Sequence, residues 1–493
     1  MKSEGSNFQQ AMWLGIGQLC TFIIAFLTAP ILARYFGKVE YGTYKQILYV
    51  YTTLQTLFVI GLPNVFSYFL PKLSDGQQKQ LVNKMTLLLL IIGGIFSLIL
   101  FFSSGLIAEL LNNQELSNGL KLFSIFPLFT LPTMGVEGIY TTIRKTRIIA
   151  TYQIVSKFLM SACIVLPVII WHTGYRAAVI GWGIASFLTF IMAMFMKIMP
   201  YKSVKREEIP QLYRSVFNYT LPLTGATVAG FFINFADQFF ISHFYGTEVF
   251  AIASNGYFSI PIIGMIAGSV KSVLLPLFSK ADTNNTISDA MASYTNAVKK
   301  TTTITLPILL FCFCFAKDIM HILFGIQYVD SSSFFRMHII RDFFEIIPYY
   351  SVLMALGFSK FYMNLHIFGT IFIWAADFLI VYFTKNPPCI TLVSSLFQVS
   401  CRIFSILYIK KRKGINLIST QLLKYIIKIT IHCSAILLTL FFIRYIIVNN
   451  IGVFVSTILL CVLYVMIMIV SGKYLNIDYL ESVKILLKNK KHA

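Results

Sequence analysis

The feature that most constrains this chain is a succession of apolar stretches, each about 20 residues long, that fills nearly its whole length. A bilayer's hydrocarbon is about 30 Å thick, and a helix rising about 1.5 Å per residue crosses it in about 20 residues. By that ruler the 493 residues hold about fourteen expected spans: 11–33, 43–63, 83–104, 120–142, 149–171, 177–196, 216–242, 250–278, 300–316, 333–356, 361–383, 388–409, 423–447 and 451–471. Composition agrees, because 57% hydrophobic and 12% charged lies far from the roughly 45–50% and 25% of soluble globular chains. An all-α integral membrane protein is expected and a soluble fold is excluded. The span 333–356 contains Arg336, Arg341, Asp342 and Glu345 and has the poorest membrane signal.

The net charge of +21 suits nucleic acid, an anionic membrane surface or an anionic substrate, and in so apolar a chain nucleic acid is disfavoured. With the N-terminus in the cytoplasm, 28 of the 40 Lys and Arg fall on the cytoplasmic side and 10 on the other. That asymmetry predicts cytoplasmic termini on both ends and explains most of the charge. Met1–Gln10 is polar, and no small-residue cleavage pattern follows the first span, which is therefore expected to be retained. Seven of the eight cysteines lie inside apolar runs, where packing is the simpler reading; Cys312 and Cys314 do not have a zinc spacing. No metal and no cofactor is expected.

Tyr35-Phe36-Gly37 recurs as Phe244-Tyr245-Gly246, and Phe69-Leu70-Pro71 as Leu274-Leu275-Pro276, offsets of 209 and 205 residues. Both pairs fall at the same place in the helix order, which points to duplication of a six-span unit. Six is even, so the copies cross in the same direction, related by a pseudo-two-fold axis along the membrane normal. The expected organisation is an N-terminal six-helix lobe over 1–196, a basic cytoplasmic linker over 197–215, a C-terminal six-helix lobe over 216–409, and two further helices with a basic tail over 410–493.

An ionised side chain in mid-span costs at least about 2.5–3.5 kcal/mol, so it should face a wet cavity or a partner, or snorkel to an interface. Candidates for a cavity are Arg34, Arg144, Asn234, Asp237, Gln238, Asn255, Lys271, Gln398 and Arg402, and for ion coupling Glu137, Asp237 and Asp377. Thr391, Ser394, Ser395, Gln398, Arg402 and Ser405 recur every three to four residues and form a polar stripe on one helix. Asn234, Asp237 and Gln238 share a face of another. His366 and Asp377, eleven apart, share a third.

The string Ala33-Arg34-Tyr35-Phe36-Gly37-Lys38-Val39-Glu40-Tyr41-Gly42-Thr43-Tyr44 resembles the first-hairpin signature of bacterial polysaccharide-biosynthesis membrane proteins, the oligosaccharide-lipid flippases of the MOP superfamily. Length, span count and the 6+6+2 division are similar to that family over nearly the whole chain. The resemblance implies a MATE-like fold in the bacterial cytoplasmic membrane. It implies as cargo an undecaprenyl-pyrophosphate-linked oligosaccharide repeat unit for O-antigen, capsule or another surface polymer, moved by alternating access. Membrane lipids, polysaccharide polymerase machinery and H+ or Na+ are the partners it suggests. The rivals are a multidrug exporter of the same superfamily and a peptidoglycan-precursor lipid flippase. A membrane polymerase or glycosyltransferase would need a catalytic loop outside the bilayer, and the largest loops, Ser103–Gly119 and Ala316–Ser333, are short, so an enzyme is not expected.

Overall fold

Several helix breaks in this chain fall at glycine or proline, and they shape the architecture of the computed structural model, which describes residues 7–59, 61–284 and 286–480. Among the described residues every regular element is a helix. The chain divides into two compact units, residues 1–251 and 252–492. In the first unit α1 (Asn7–Tyr35), α2 (Lys38–Val59), α3 (Leu62–Phe69), α4 (Asp75–Phe102), α5 (Ser104–Leu110), α6 (Glu115–Phe123), α7 (Phe126–Thr130), α8 (Val136–Thr142), α9 (Thr146–Trp171) and α10 (Tyr175–Ile198) lead to α11 (Leu212–Gly256), most of which packs there. The second unit holds α12 (Pro261–Asn284), α13 (Ile287–Cys314), α14 (Ala316–Phe324), α15 (Ser331–Phe343), α16 (Tyr349–Ala355), α17 (Ser359–Phe383), α18 (Pro387–Lys413), α19 (Thr420–Ile451) and α20 (Val453–Tyr474).

Eleven helices among the described residues are long and apolar enough to cross a bilayer, or twelve when α2 and α3 count as one bent span. The two other expected spans have different fates. Residues 216–242 lie within α11, where the side chains of 221–229 and of Asn234 fall outside the described residues. Residues 333–356 are two short helices, α15 and α16, separated at 344–348. The repeated tripeptide marks a helix junction in both copies: α1 ends at Tyr35 before Gly37, and α11 is interrupted at Gly246, whose φ of 82° favours glycine. The second repeated string behaves differently. Pro71 sits in a short 3-10 turn that closes α3, whereas Pro276 lies inside α12.

Within the first unit Phe66, Leu81, Met85, Leu89, Val136 and Tyr201 pack into one core. The second unit has one core around Phe278, Tyr294 and Leu353 and another around Phe315, Ile429 and Leu460. The bidentate pairing of Arg444 with the buried Asp318 ties α19 to α14. Outside these cores Phe102, Phe158, Phe195, Phe383 and Phe442 are exposed, as lipid-facing side chains must be when oil is the solvent.

The start of α4 shows how the basic stretch after α10 is held. Ser74 caps α4 reciprocally with Gln77. Against that cap lies the segment 204–209: Lys79 Nζ donates to the Val204 carbonyl at 2.7 Å, the Glu207 N–H to the Gly76 carbonyl at 3.2 Å, and the Ser74 hydroxyl bonds the Glu207 carboxylate. A Cβ on Gly76 would stand 2.6 Å from Glu207, so only glycine admits this strap.

Candidate functional site

The break between α15 and α16 has a local cause. Pro348 lacks an N–H and disfavours helical geometry at Ile347, so the helix stops at Phe343 and restarts at Tyr349. Turns hold the gap, with Glu345 N–H donating to Asp342 at 3.0 Å and Tyr349 N–H to Ile347 at 2.8 Å. Carbonyls at the end of a helix need donors from elsewhere. Arg402, on α18, supplies one by donating its guanidinium to the Arg341 carbonyl.

Charges gather around this clasp. Lys271 on α12 pairs with Glu345 at 3.3 Å, and Arg341 with Asp342 at 3.5 Å. Arg341 also donates to His338 Nε2 at 2.9 Å; that nitrogen therefore accepts, and the imidazole is neutral with its proton on Nδ1. The Tyr257 ring stands edge-on to His338 at 5.3 Å, and its hydroxyl meets Thr391 Oγ1 at 2.9 Å. Tyr257 belongs to the second helix break of the unit, residues 257–260 ahead of α12. Three cations face two carboxylates, a net charge of +1. The lysine side chain keeps 42% of its accessible surface and the glutamate 26%, so protein does not enclose this ion pair. An incoming phosphate can take the place of the carboxylates, and a guanidinium suits it through paired N–H donors.

The first unit contains a counterpart. Its fourth expected span is also broken, into α6, α7 and α8, by Pro127, Pro132 and Gly135. Gly135 has φ 92°, and a Cβ there would lie 2.4 Å from the Phe66 ring. Lys197 on α10 donates to the Pro132 carbonyl at 2.7 Å and to Thr86 Oγ1 at 3.1 Å, with its ammonium 4.9 Å from the centre of the Phe66 ring. Pro132 and Arg341 are 209 residues apart, and Lys197 and Arg402 are 205, the offsets of the repeated tripeptides. In each copy a cation on the sixth span closes a carbonyl opened by the break in the fourth.

Lys271 and Arg402 thus meet around one break. Gln398 is half-buried on the Arg402 helix, while Thr391, Ser394, Ser395 and Ser405 of the same stripe are buried in protein. Asn255 and Asp377 are buried in the second unit, and Asp237 is buried on α11, with Gln238 half-buried beside it. Asn234 lies outside the residues whose side chains are described. Arg34 and Arg144 do not converge. Arg34 ends α1, whereas Arg144 stands in the turn before α9, beside Gln10 at the other end of α1, about 36 Å away at the helical rise. Glu137 is exposed and accepts from Gln153 Nε2 at 3.1 Å. The sequence pointed to neither His338, Arg341, Asp342 and Glu345 nor Lys197 as site residues. The dense charge in the poorest of the expected spans was the available signal for the first four.

No curated protein matches the chain by sequence. A family model described as polysaccharide biosynthesis protein matches residues 8–282. Among solved structures, the lipid II flippase MurJ in an inward closed conformation superposes with a TM-score of 0.71 at 14% identity, covering 94% of this chain and 99% of that one. An outward-facing multidrug resistance MATE family transporter of the MOP superfamily gives 0.56 at 12% identity, with 83% and 96% covered. A MOP superfamily transporter from Pyrococcus furiosus, described by the reverse polarity of its binding pocket, gives 0.55 at 13% identity, with 84% and 98% covered. Fold and composition define a multi-pass membrane protein built like the transporters of the MOP superfamily. The chain belongs to the polysaccharide biosynthesis protein family, whose model spans more than half of its residues.

Proposed function

We propose that the protein is a flippase that moves an undecaprenyl-pyrophosphate-linked oligosaccharide repeat unit across the bacterial cytoplasmic membrane, for O-antigen, capsule or a similar surface polymer. Both termini lie in the cytoplasm in this reading, and two six-span lobes, 1–196 and 216–409, alternate access around the cargo. The observation that carries it is the half-buried cluster of Lys271, Arg341 and Arg402 around a broken helix, a positive site inside a membrane protein where a cationic drug would be repelled. The polyprenyl tail is already at home in lipid, so only the sugar-pyrophosphate head needs a polar path. A head with two negative charges moving outward gains about 2.3 kcal/mol per charge per 100 mV of inside-negative potential. Gln398, Asn255 and Gln238 are the proposed sugar-facing groups. Buried Asp237 and Asp377, with Glu137, are the proposed acids for H+ or Na+ exchange that resets the cationic site. Those acids also favour a second reading, a cation-coupled exporter of the same superfamily.

Deletion of the gene is expected to accumulate lipid-linked repeat units, and wild-type protein but not Lys271→Gln/Arg402→Gln is expected to clear them. Flipping of a fluorescent polyprenyl-pyrophosphate saccharide in proteoliposomes isolates the step. Export of organic cations without saccharide flipping favours the second reading.

A further inference from the structure

At the end of the first unit where α1 begins, a cavity of about 290 Å³ is lined by Trp13, Gln10, Arg144, Lys145, Thr146 and Arg147, with Gln9 at its edge. None of these lining residues is acidic, and three are cations. The pocket is built rather than accidental. Gln10 Oε1 accepts from the Thr146 N–H at 3.1 Å and from its hydroxyl at 2.6 Å, which fixes the start of α9 against α1. Farther along the two helices, Thr28 and Ser161 bond at 2.8 Å. The Arg147 guanidinium lies 5.4 Å from the Trp13 ring centre, which limits its wandering. Arg144 adopts a left-handed backbone with φ 57°, a conformation that turns the chain sharply between α8 and α9.

Apolar surface continues from the pocket. Met12, Ile16, Leu19 and Ile23 are exposed at i, i+4, i+7 and i+11 on α1, and Ile148 and Val155 on α9. A ligand seated here meets the cations Lys145 and Arg147 at its head and apolar side chains along its length. A tryptophan stands at the boundary between them, as it does at membrane interfaces.

We propose that this pocket is a resident site for an anionic glycerophospholipid, with the phosphate and glycerol in the basic cavity and the acyl chains along the apolar stripes of α1 and α9. The cavity is about the size of one phosphorylated headgroup and is built from residues of the first unit. The site is therefore distinct from the cargo cluster of the second unit, and lipid held here fastens α9 to α1.

The test uses the full-length protein in phosphatidylcholine nanodiscs doped with a minor fraction of phosphatidylglycerol, and reads the ratio of the two lipids that stays with the protein after mild detergent extraction. Wild type is expected to enrich phosphatidylglycerol. Lys145→Gln/Arg147→Gln is expected to lower the enrichment about 25-fold, from about fivefold for each charge lost near the membrane surface. Arg176→Gln, at the opposite end of the unit, is expected to leave it unchanged. The charge-conserving pair Lys145→Arg/Arg147→Lys guards against misfolding and is expected to keep the enrichment. Equal retention by wild type and the Gln pair overturns the proposal, as does loss in the charge-conserving pair. Displacement of phosphatidylglycerol by equimolar undecaprenyl pyrophosphate assigns the pocket to the cargo instead. Displacement by soluble glycerol 3-phosphate assigns it to a free phosphate ester. Either overturns the lipid assignment without touching the flipping reaction, which is measured separately.

Discussion

The broken fourth span of the first unit and the broken tenth span of the second use one backbone device in two environments. In both, proline opens the helix and a cation two spans later closes the exposed carbonyl, Lys197 on Pro132 and Arg402 on Arg341. Lys197 is 3% exposed, and among the described residues its polar head meets a carbonyl, a hydroxyl and an aromatic face. Arg402 is half-buried among Lys271, Arg341, Asp342 and Glu345. The first clasp is enclosed by protein, whereas the second keeps part of its charged surface open. The paired interruptions thus distinguish a braced break, around Lys197, from one with open charges, around Lys271 and Arg402.

The largest expected effect falls on the enclosed side. Gly135→Ala must place a methyl against the buried Phe66 ring at a positive φ, and is expected to lose more than about 3 kcal/mol of stability in detergent unfolding. Lys197→Met removes a buried hydrogen bond and strands the Pro132 carbonyl, with an expected loss of about 2–3 kcal/mol and a matching loss of folded protein in the membrane. Arg402→Gln is the contrasting change: stability within about 1 kcal/mol of wild type, because the Arg341 carbonyl keeps the Phe344 N–H as a donor at 3.2 Å, with flipping reduced at least about tenfold. Equal profiles for Lys197→Met and Arg402→Gln would erase the distinction between the two breaks. The smallest effect is expected for Glu345→Gln, which releases a partly exposed pair and should cost about 0–1 kcal/mol, with flipping changed less than about fivefold.

Much of this was legible in the residues. The apolar runs fix a helical membrane protein because oil leaves the backbone no other partner than itself. The Tyr35-Phe36-Gly37 and Phe244-Tyr245-Gly246 strings locate two real helix junctions, since glycine there releases the helix. Lys271 and Arg402 were visible as charges out of place. What hydropathy hid was the break at 344–348: it averages over a window, and a pause of five residues ending in proline reads as a polar helix. Lys197 was indistinguishable from its neighbours Lys202 and Lys205, as burial is not written in residue type.

The sequence by itself determined the solvent this protein lives in and the helical class, because hydrophobic periodicity and the length of apolar runs are local properties. Only the tertiary structure decided which cations meet, that Arg34 and Arg144 lie at opposite ends of α1 while Lys271 and Arg402 share one break. Convergence depends on which faces of distant helices pack together, and a charge at a helix break acquires its role from the carbonyl or carboxylate that packing brings to it.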